Sequence, residues 1–219
     1  AIDSYWLVTD PGSILDHADG TTDICIMDNG TPSVVISNGG CVNVYNGRLC
    51  ANTSGKKGTA LVTGSGSTWT NKNDLRIPEG ASCYGKLTIA AGGRVRSNNG
   101  YMGQGADSTG LVVIAGSGSM WTNTGELKLT WNAGSVGALR FEADANGVGT
   151  IGVGGQLTVD SNDRLEVDIS NYNRANGLKL VLVTYGSKSG AFDNIAVTGL
   201  DGGAVDQEDD NRIVLNVVP

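Results

Sequence analysis

A register of 26 residues runs through the middle of the chain, and glycines and large apolar residues fall on it together. Leu61, Leu87 and Val113 share it, as do Gly66, Gly92 and Gly118, then Trp69, Val95 and Trp121, then Leu75, Tyr101 and Leu127. At twice the spacing the match is nearly literal. Gly64-Ser65-Gly66-Ser67-Thr68-Trp69-Thr70-Asn71 is answered by Gly116-Ser117-Gly118-Ser119-Met120-Trp121-Thr122-Asn123. A fixed period of this size means stacked supersecondary units, none of which buries its apolar face alone.

Within one double period, strands are predicted at Ala60–Thr63, Thr68–Asn71, Asp74–Ile77, Lys86–Ala90, Arg94–Ser97 and Gly100–Met102. That is three strands per period, the arithmetic of a parallel β-helix. Period-2 alternation supports them: Leu61 and Thr63 point one way and Val62 the other. Glycines 64, 66, 92, 93, 116 and 118 fall between strands, where corners need positive φ.

The expected fold is therefore all-β: a single parallel β-helix, or β-solenoid, with atypical caps. A right-handed coil is expected, because 26 residues exceeds the roughly 18 of left-handed hexapeptide coils. Residues 1–20 read as an irregular N-terminal cap around the Asp10-Pro11-Gly12 turn, and residues 21–155 as the coils. Residues 156–219 read as degenerate final coils and a C-terminal β cap, with strands at Gln156–Val159, Arg164–Ile169, Lys179–Thr184, Asn194–Val197 and Arg212–Val217.

Charge narrows the partners. Fifteen Lys and Arg stand against 22 Asp and Glu, a net charge of −7, with no basic cluster. Nucleic acid is excluded as an expected partner, because binding it demands a basic patch. No transmembrane segment is expected either, since no run reaches about 18 consecutive apolar residues. The four cysteines, Cys25, Cys41, Cys50 and Cys83, contain no C-x-x-C, and the single His17 has no metal-ligand spacing. An even number in a Gly-rich β chain favours disulfides and an oxidising compartment. Cys25 and Cys50 lie nearly one period apart, so they are the favoured pair on adjacent coils.

Candidate sites are sparse. Trp69 and Trp121 read as a core stack, with a surface sugar-stacking ladder as the alternative. No cofactor is expected, apart from calcium as a candidate at the acidic loop of Asp201, Asp206, Glu208, Asp209 and Asp210. The Asp144-Ala145-Asn146 and Asp160-Ser161-Asn162-Asp163 turns read as Asx turns, with calcium as the alternative. Polysaccharide-cutting chemistry needs carboxylates recurring on one face. On the register Asp74 maps to Gly100 and then Glu126, so these two acids read as solvated strand-edge residues.

The phrases Gly64–Asn71, Leu87-Thr88-Ile89-Ala90-Ala91-Gly92-Gly93-Arg94-Val95 and Gly116–Asn123 resemble a repeat of bacterial surface proteins, found in autotransporter passengers and PEP-CTERM-associated proteins. The resemblance covers about residues 30–130. It implies export to the cell surface or extracellular matrix, a β-helical passenger and no assigned catalysis. A Pro-Glu-Pro sorting motif follows in PEP-CTERM proteins, which would make Pro219 a truncation point. The cysteines are not part of the repeat.

The leading expectation is a secreted or cell-surface structural or adhesive module, non-catalytic, with polysaccharide or other surface components as partners on an extended face. The alternatives are a polysaccharide-active β-helix enzyme, or its inactive glycan-binding relative, and a self-assembling matrix protein.

Overall fold

In the computed structural model, described for residues 6–17, 23–26, 34–51, 54–132, 134–199, 204–207 and 210–217, the chain winds as a β-solenoid. It makes about seven turns of about 27 residues. Each of the first five coils carries three short strands. They are β1 (Trp6–Thr9), β2 (Ile14–His17) and β3 (Asp23–Ile26); β4 (Val34–Ser37), β5 (Cys41–Val44) and β6 (Asn46–Leu49); β7 (Lys57–Thr63), β8 (Thr68–Asn71) and β9 (Asp74–Ile77); β10 (Tyr84–Ala90), β11 (Arg94–Ser97) and β12 (Asn99–Met102); β13 (Thr109–Ala115), β14 (Met120–Asn123) and β15 (Leu127–Lys128). The sixth coil holds β16 (Val136–Glu142) and the long β17 (Thr150–Thr158), and the seventh β18 (Arg164–Asp168) and β19 (Lys179–Ser189). After β20 (Asn194–Thr198), β21 (Ala204–Asp206) and β22 (Arg212–Asn216) end the fold.

Parallel pairing stacks β1, β4, β7, β10, β13, β16, β18 and β20 into a first side. The second side stacks β2, β5, β8, β11, β14 and the start of β17; the third stacks β3, β6, β9, β12, β15 and the end of β17. A register shift between Val153 and Gln156 lets β17 serve both sides. Then β22 pairs antiparallel with β19, and β21 with β22, so the parallel growth direction ends there.

The solenoid begins earlier than its periodicity does. Residues 6–17, expected as an irregular cap, form β1 and β2, paired in parallel with β4 and β5. Trp6 and Ile14 are exposed at this open end, so the short segments lack the buried alternation that marks later coils. The rest of that expected cap, residues 1–5 and 18–20, lies outside the described residues, as does Pro219.

Inward side chains form continuous ladders. On the first side Ile36, Val62, Ile89, Ile114, Phe141 and Val167 stack in register. On the second side the ladder runs Val42, Trp69, Val95, Trp121, Ile151 and Val183. On the third it runs Ile24, Gly47, Leu75, Gly100, Leu127 and Leu157. Burying such unbranched stacks of apolar area at about 25 cal/mol per Å² is the main stabilising term.

The 26-residue register turns out to be a mean. On the first side Tyr84 follows Lys57 by 27 residues and precedes Thr109 by 25. On the third side Gly100 follows Leu75 by 25 and precedes Leu127 by 27. Two expected alignments are therefore off by one. Leu61 pairs with Thr88 and faces outward, while Leu87 faces the core. Leu75 pairs with Gly100, so Tyr101 stands outside beside Arg76. A one-residue slip exchanges the faces of a strand.

The true unit is a pair of unlike coils. The second and fourth coils turn from side one to side two through Asn38-Gly39-Gly40 and Ala91-Gly92-Gly93, and carry Val42 with Gly47 and Val95 with Gly100. The third and fifth use the longer Gly64-Ser65-Gly66-Ser67 and Gly116-Ser117-Gly118-Ser119, and carry Trp69 with Leu75 and Trp121 with Leu127. In both cases the serine closing the longer turn receives a glycine N–H from the coil before: Gly39 to Ser67 Oγ at 3.0 Å, Gly92 to Ser119 Oγ at 3.1 Å. The indole of each tryptophan fills the space left by the glycine beneath it. A Cβ on Gly100 would stand 2.7 Å from Trp121 Cζ2.

Candidate functional site

The solenoid presents its chemistry on the outward row of the third side. Strand alternation puts Cys25, Arg48, Arg76, Tyr101 and Lys128 in one file, each Cα beside the next. A neighbouring file holds Asp23, Asn46, Asp74 and Asn99. Asn46 Nδ2 donates to Asp23 Oδ1 at 2.7 Å, and Asn46 Oδ1 accepts the Asp74 N–H at 3.0 Å. Asn99 repeats the device one coil pair later, donating to Asp74 Oδ1 at 3.1 Å and accepting the Glu126 N–H at 3.2 Å.

Ion pairs cross the two files. Arg48 reaches Asp23 at 2.6 Å and Glu79 at 3.4 Å; Arg76 reaches Asp74 at 2.9 Å and Glu79 at 3.2 Å. These side chains are only about one-fifth exposed, so their attraction is screened less than that of a fully exposed pair. The network ends in an aromatic group. The Tyr101 hydroxyl donates to Glu126 Oε1 at 2.8 Å, and its ring meets Trp131 edge to face at a centroid distance of 5.0 Å. Lys128 Nζ lies 4.6 Å from the centre of the Trp131 ring, a cation–π contact, and Trp131 is 44% exposed. Burial, then the Glu126 carboxylate that accepts its proton and the nearby Asp74, hold the Tyr101 phenol well above its usual pKa, against the opposing pull of Arg76. It therefore stays a hydrogen-bond donor throughout the physiological range.

Other expected sites are placed differently. Trp69 and Trp121 are both fully inside, which rules out a surface sugar-stacking ladder at those positions. Trp121 Nε1 donates to Ser97 Oγ at 3.0 Å, whereas Trp69 Nε1 finds no partner. Asp74 and Glu126, expected as solvated edge residues, are members of the bonded network, and Asp74 is buried. The turns weighed for calcium spend their oxygens on the backbone. Asp144 accepts from Ser117 N and Oγ, Asn146 N and Gly147 N; Asp163 accepts from Thr130 Oγ1, Gly137 N and Asp160 N.

In the acidic loop, Asp201, Glu208 and Asp209 lie outside the described residues. Asp206 belongs to β21, and the Asp210 carboxylate sits 3.5 Å from Arg212, a cation that already occupies its charge. Among the described residues no three His, Cys, Asp or Glu side chains gather in a way that could hold a metal ion.

The disulfide joins Cys50 to Cys83, whose Cα atoms are 6.3 Å apart, and not Cys25 to Cys50. Cys25 pairs in register with Arg48 and points outward, while Cys50 turns into the core, so the favoured near-period pair faces opposite ways. Cys25 and Cys41 are free thiols. Among the described residues no helix is long and apolar enough to cross a membrane.

Sequence reasoning missed Arg48, Arg76, Tyr101, Lys128 and Trp131. The 26-residue register aligned Tyr101 with Leu75 and thereby assigned it to the core. Allowing alternate coils of 25 and 27 residues would have exposed the file.

Comparison with known proteins gave no match: no family model fits the sequence, and no curated protein or solved structure matches the chain.

Proposed function

We propose that the chain is an exported structural or adhesive module, a rigid β-solenoid that holds a glycan along its third side. The observation that carries this reading is the exposed Trp131 ring set against Tyr101 and Lys128, at the end of an ordered row of amides, carboxylates and guanidinium groups. An aromatic face receives the apolar face of a sugar ring, while fixed polar groups beside it bond the hydroxyls. The Cys50–Cys83 disulfide supports an oxidising, extracellular setting, in keeping with the bacterial surface repeat that the sequence resembles.

The carboxylates on this side support binding over acid–base catalysis. Asp23, Asp74, Glu79 and Glu126 are each engaged with an arginine, an amide or a tyrosine, whereas a catalytic acid or base must be free to exchange its proton with substrate. A glycan microarray probed with the full chain and with Trp131→Ala tests the proposal. The wild type is expected to retain neutral oligosaccharides that the variant loses by about tenfold or more, as loss of one stacking contact of 1–2 kcal/mol predicts. Equal retention by both proteins, or none by either, overturns it. Shortening of the bound polymer during incubation would favour the polysaccharide-active enzyme instead.

A further inference from the structure

Strand β11 carries two arginines, Arg94 and Arg96, at alternate positions, so both project from the outer surface of the second side. Their Cα neighbours in the coil before are Thr68 and Thr70, and in the coil after Met120 and Thr122. This is a flat surface of hydroxyls with two cations at its centre, about 7 Å apart along the strand and about 4.8 Å from the threonine rows on either side.

What singles them out is the absence of counter-charge. Among the described residues, Arg48, Arg76, Arg140 and Arg212 stand in ion pairs, and Arg174 donates to the Gly199 carbonyl. Arg164, at the start of β18, is alone on the first side. Arg94 and Arg96 have neither an ion pair nor a hydrogen bond, although the chain as a whole carries a net charge of −7. Two like charges on one strand face repel each other, and nothing in the fold offsets that repulsion. The inward partner between them, Val95, supplies all that packing requires of this strand.

We propose that Arg94 and Arg96 form a binding site for the anionic groups of an acidic polysaccharide, with Thr68, Thr70 and Thr122 bonding the sugar hydroxyls around them. The guanidinium fork matches the planar carboxylate of a uronic acid and the oxygens of a sulfate ester, and both are recognised by the same paired N–H donors. A threonine on either side offers a donor and an acceptor within one coil spacing. The surface is flat and extends along the solenoid axis, which suits a polymer rather than a small molecule in a pocket. A polyphosphate chain such as nucleic acid is disfavoured, because only two cations are present and the remaining charge of the molecule is repulsive. The site lies on a different side from Trp131 and does not depend on the glycan reading given to that side.

Titration calorimetry of the full chain with polygalacturonate, dextran sulfate, neutral dextran and a thymidine oligonucleotide tests the proposal. Binding of at least one acidic polymer is expected, weakening as salt shortens the Debye length from about 10 Å at 0.1 M to about 3 Å at 1 M. The polymer that binds distinguishes carboxylate from sulfate. Arg94→Gln/Arg96→Gln is expected to lower that affinity by about tenfold or more with an unchanged thermal midpoint, because both side chains are exposed. Arg94→Lys/Arg96→Lys, which keeps the charge and loses the fork, is expected to fall between, and Trp131→Ala to bind as the wild type does. The proposal is overturned if neither acidic polymer binds, if the glutamine variant binds as tightly as the wild type, or if the oligonucleotide or neutral dextran binds equally well.

Discussion

Gly47 and Gly100 matter for what stands above them. Each leaves a vacancy on the third side that the indole of the next coil enters, and a Cβ on either would meet the tryptophan ring, an asparagine Oδ1 and a leucine methyl of that coil. Small and large residues thus alternate along the axis, and this alternation, with the unequal turns, makes the repeat a pair of coils. Gly100→Ala is expected to cost about 2–3 kcal/mol through overpacking, read as a lower urea midpoint with an unchanged slope. In the background of Trp121→Val the same substitution should cost far less, because the ring it strikes is gone. Additive losses in that double-mutant cycle would refute the packing account. The sequence showed the tryptophans and their doubled spacing plainly. It hid the role of the glycines, because a glycine at a core position looks the same as a glycine at a corner until the register is known to the residue.

At the scale of single elements, the corners are held by buried or capped aspartates whose protonation has opposite consequences. Asp144 loses some hydration, which raises its pKa, but the bonds from Ser117, Asn146 and Gly147 outweigh this and hold it below its ordinary 3.8. Its stabilisation is therefore present above the ordinary value and is lost as pH falls through the lowered one. Asp163 is fully buried at the start of β18, and desolvation raises its pKa despite the bonds it accepts from Asp160, Thr130 and Gly137. Its contribution is present below the ordinary value and is lost as pH rises through the raised one. Urea unfolding between about pH 3 and pH 7 should show a shallower acid loss in Asp144→Asn and a steeper one in Asp163→Asn. A shift of the same sign in both variants would contradict these assignments. Both turns were legible in the sequence as Asx turns, since Asp and Asn at such spacings bond their own backbone. That Asp163 also reaches Thr130 and Gly137 in the coil before was not, because the contact exists only once coils stack.

Across the whole molecule, stability is built from neighbouring coils, and the Cys50–Cys83 disulfide ties one corner of that stack to the same corner a coil later. Closing a loop over a sequence separation of 33 is worth about 3–4 kcal/mol in chain entropy. Reduction, or Cys50→Ala with Cys83→Ala, should lower the unfolding free energy by about that amount, while Cys25→Ser and Cys41→Ser leave it unchanged. A large loss in Cys25→Ser would instead indicate the near-period pairing.

The sequence by itself determined that the chain is a three-stranded parallel β-solenoid, because stacking coils demands apolar residues and glycine at a recurring spacing and little else. The tertiary structure alone decided which outward residues meet. Side-chain period on a strand is two, so the alternation of 25- and 27-residue coils, invisible in a mean of 26, carried Tyr101 out of the core and into line with Arg76 and Lys128. It also turned Cys25 away from Cys50 and left Arg94 and Arg96 side by side on an uncharged surface. Periodicity reports what every coil shares; the groups that can bind a ligand are those in which one coil differs from the next.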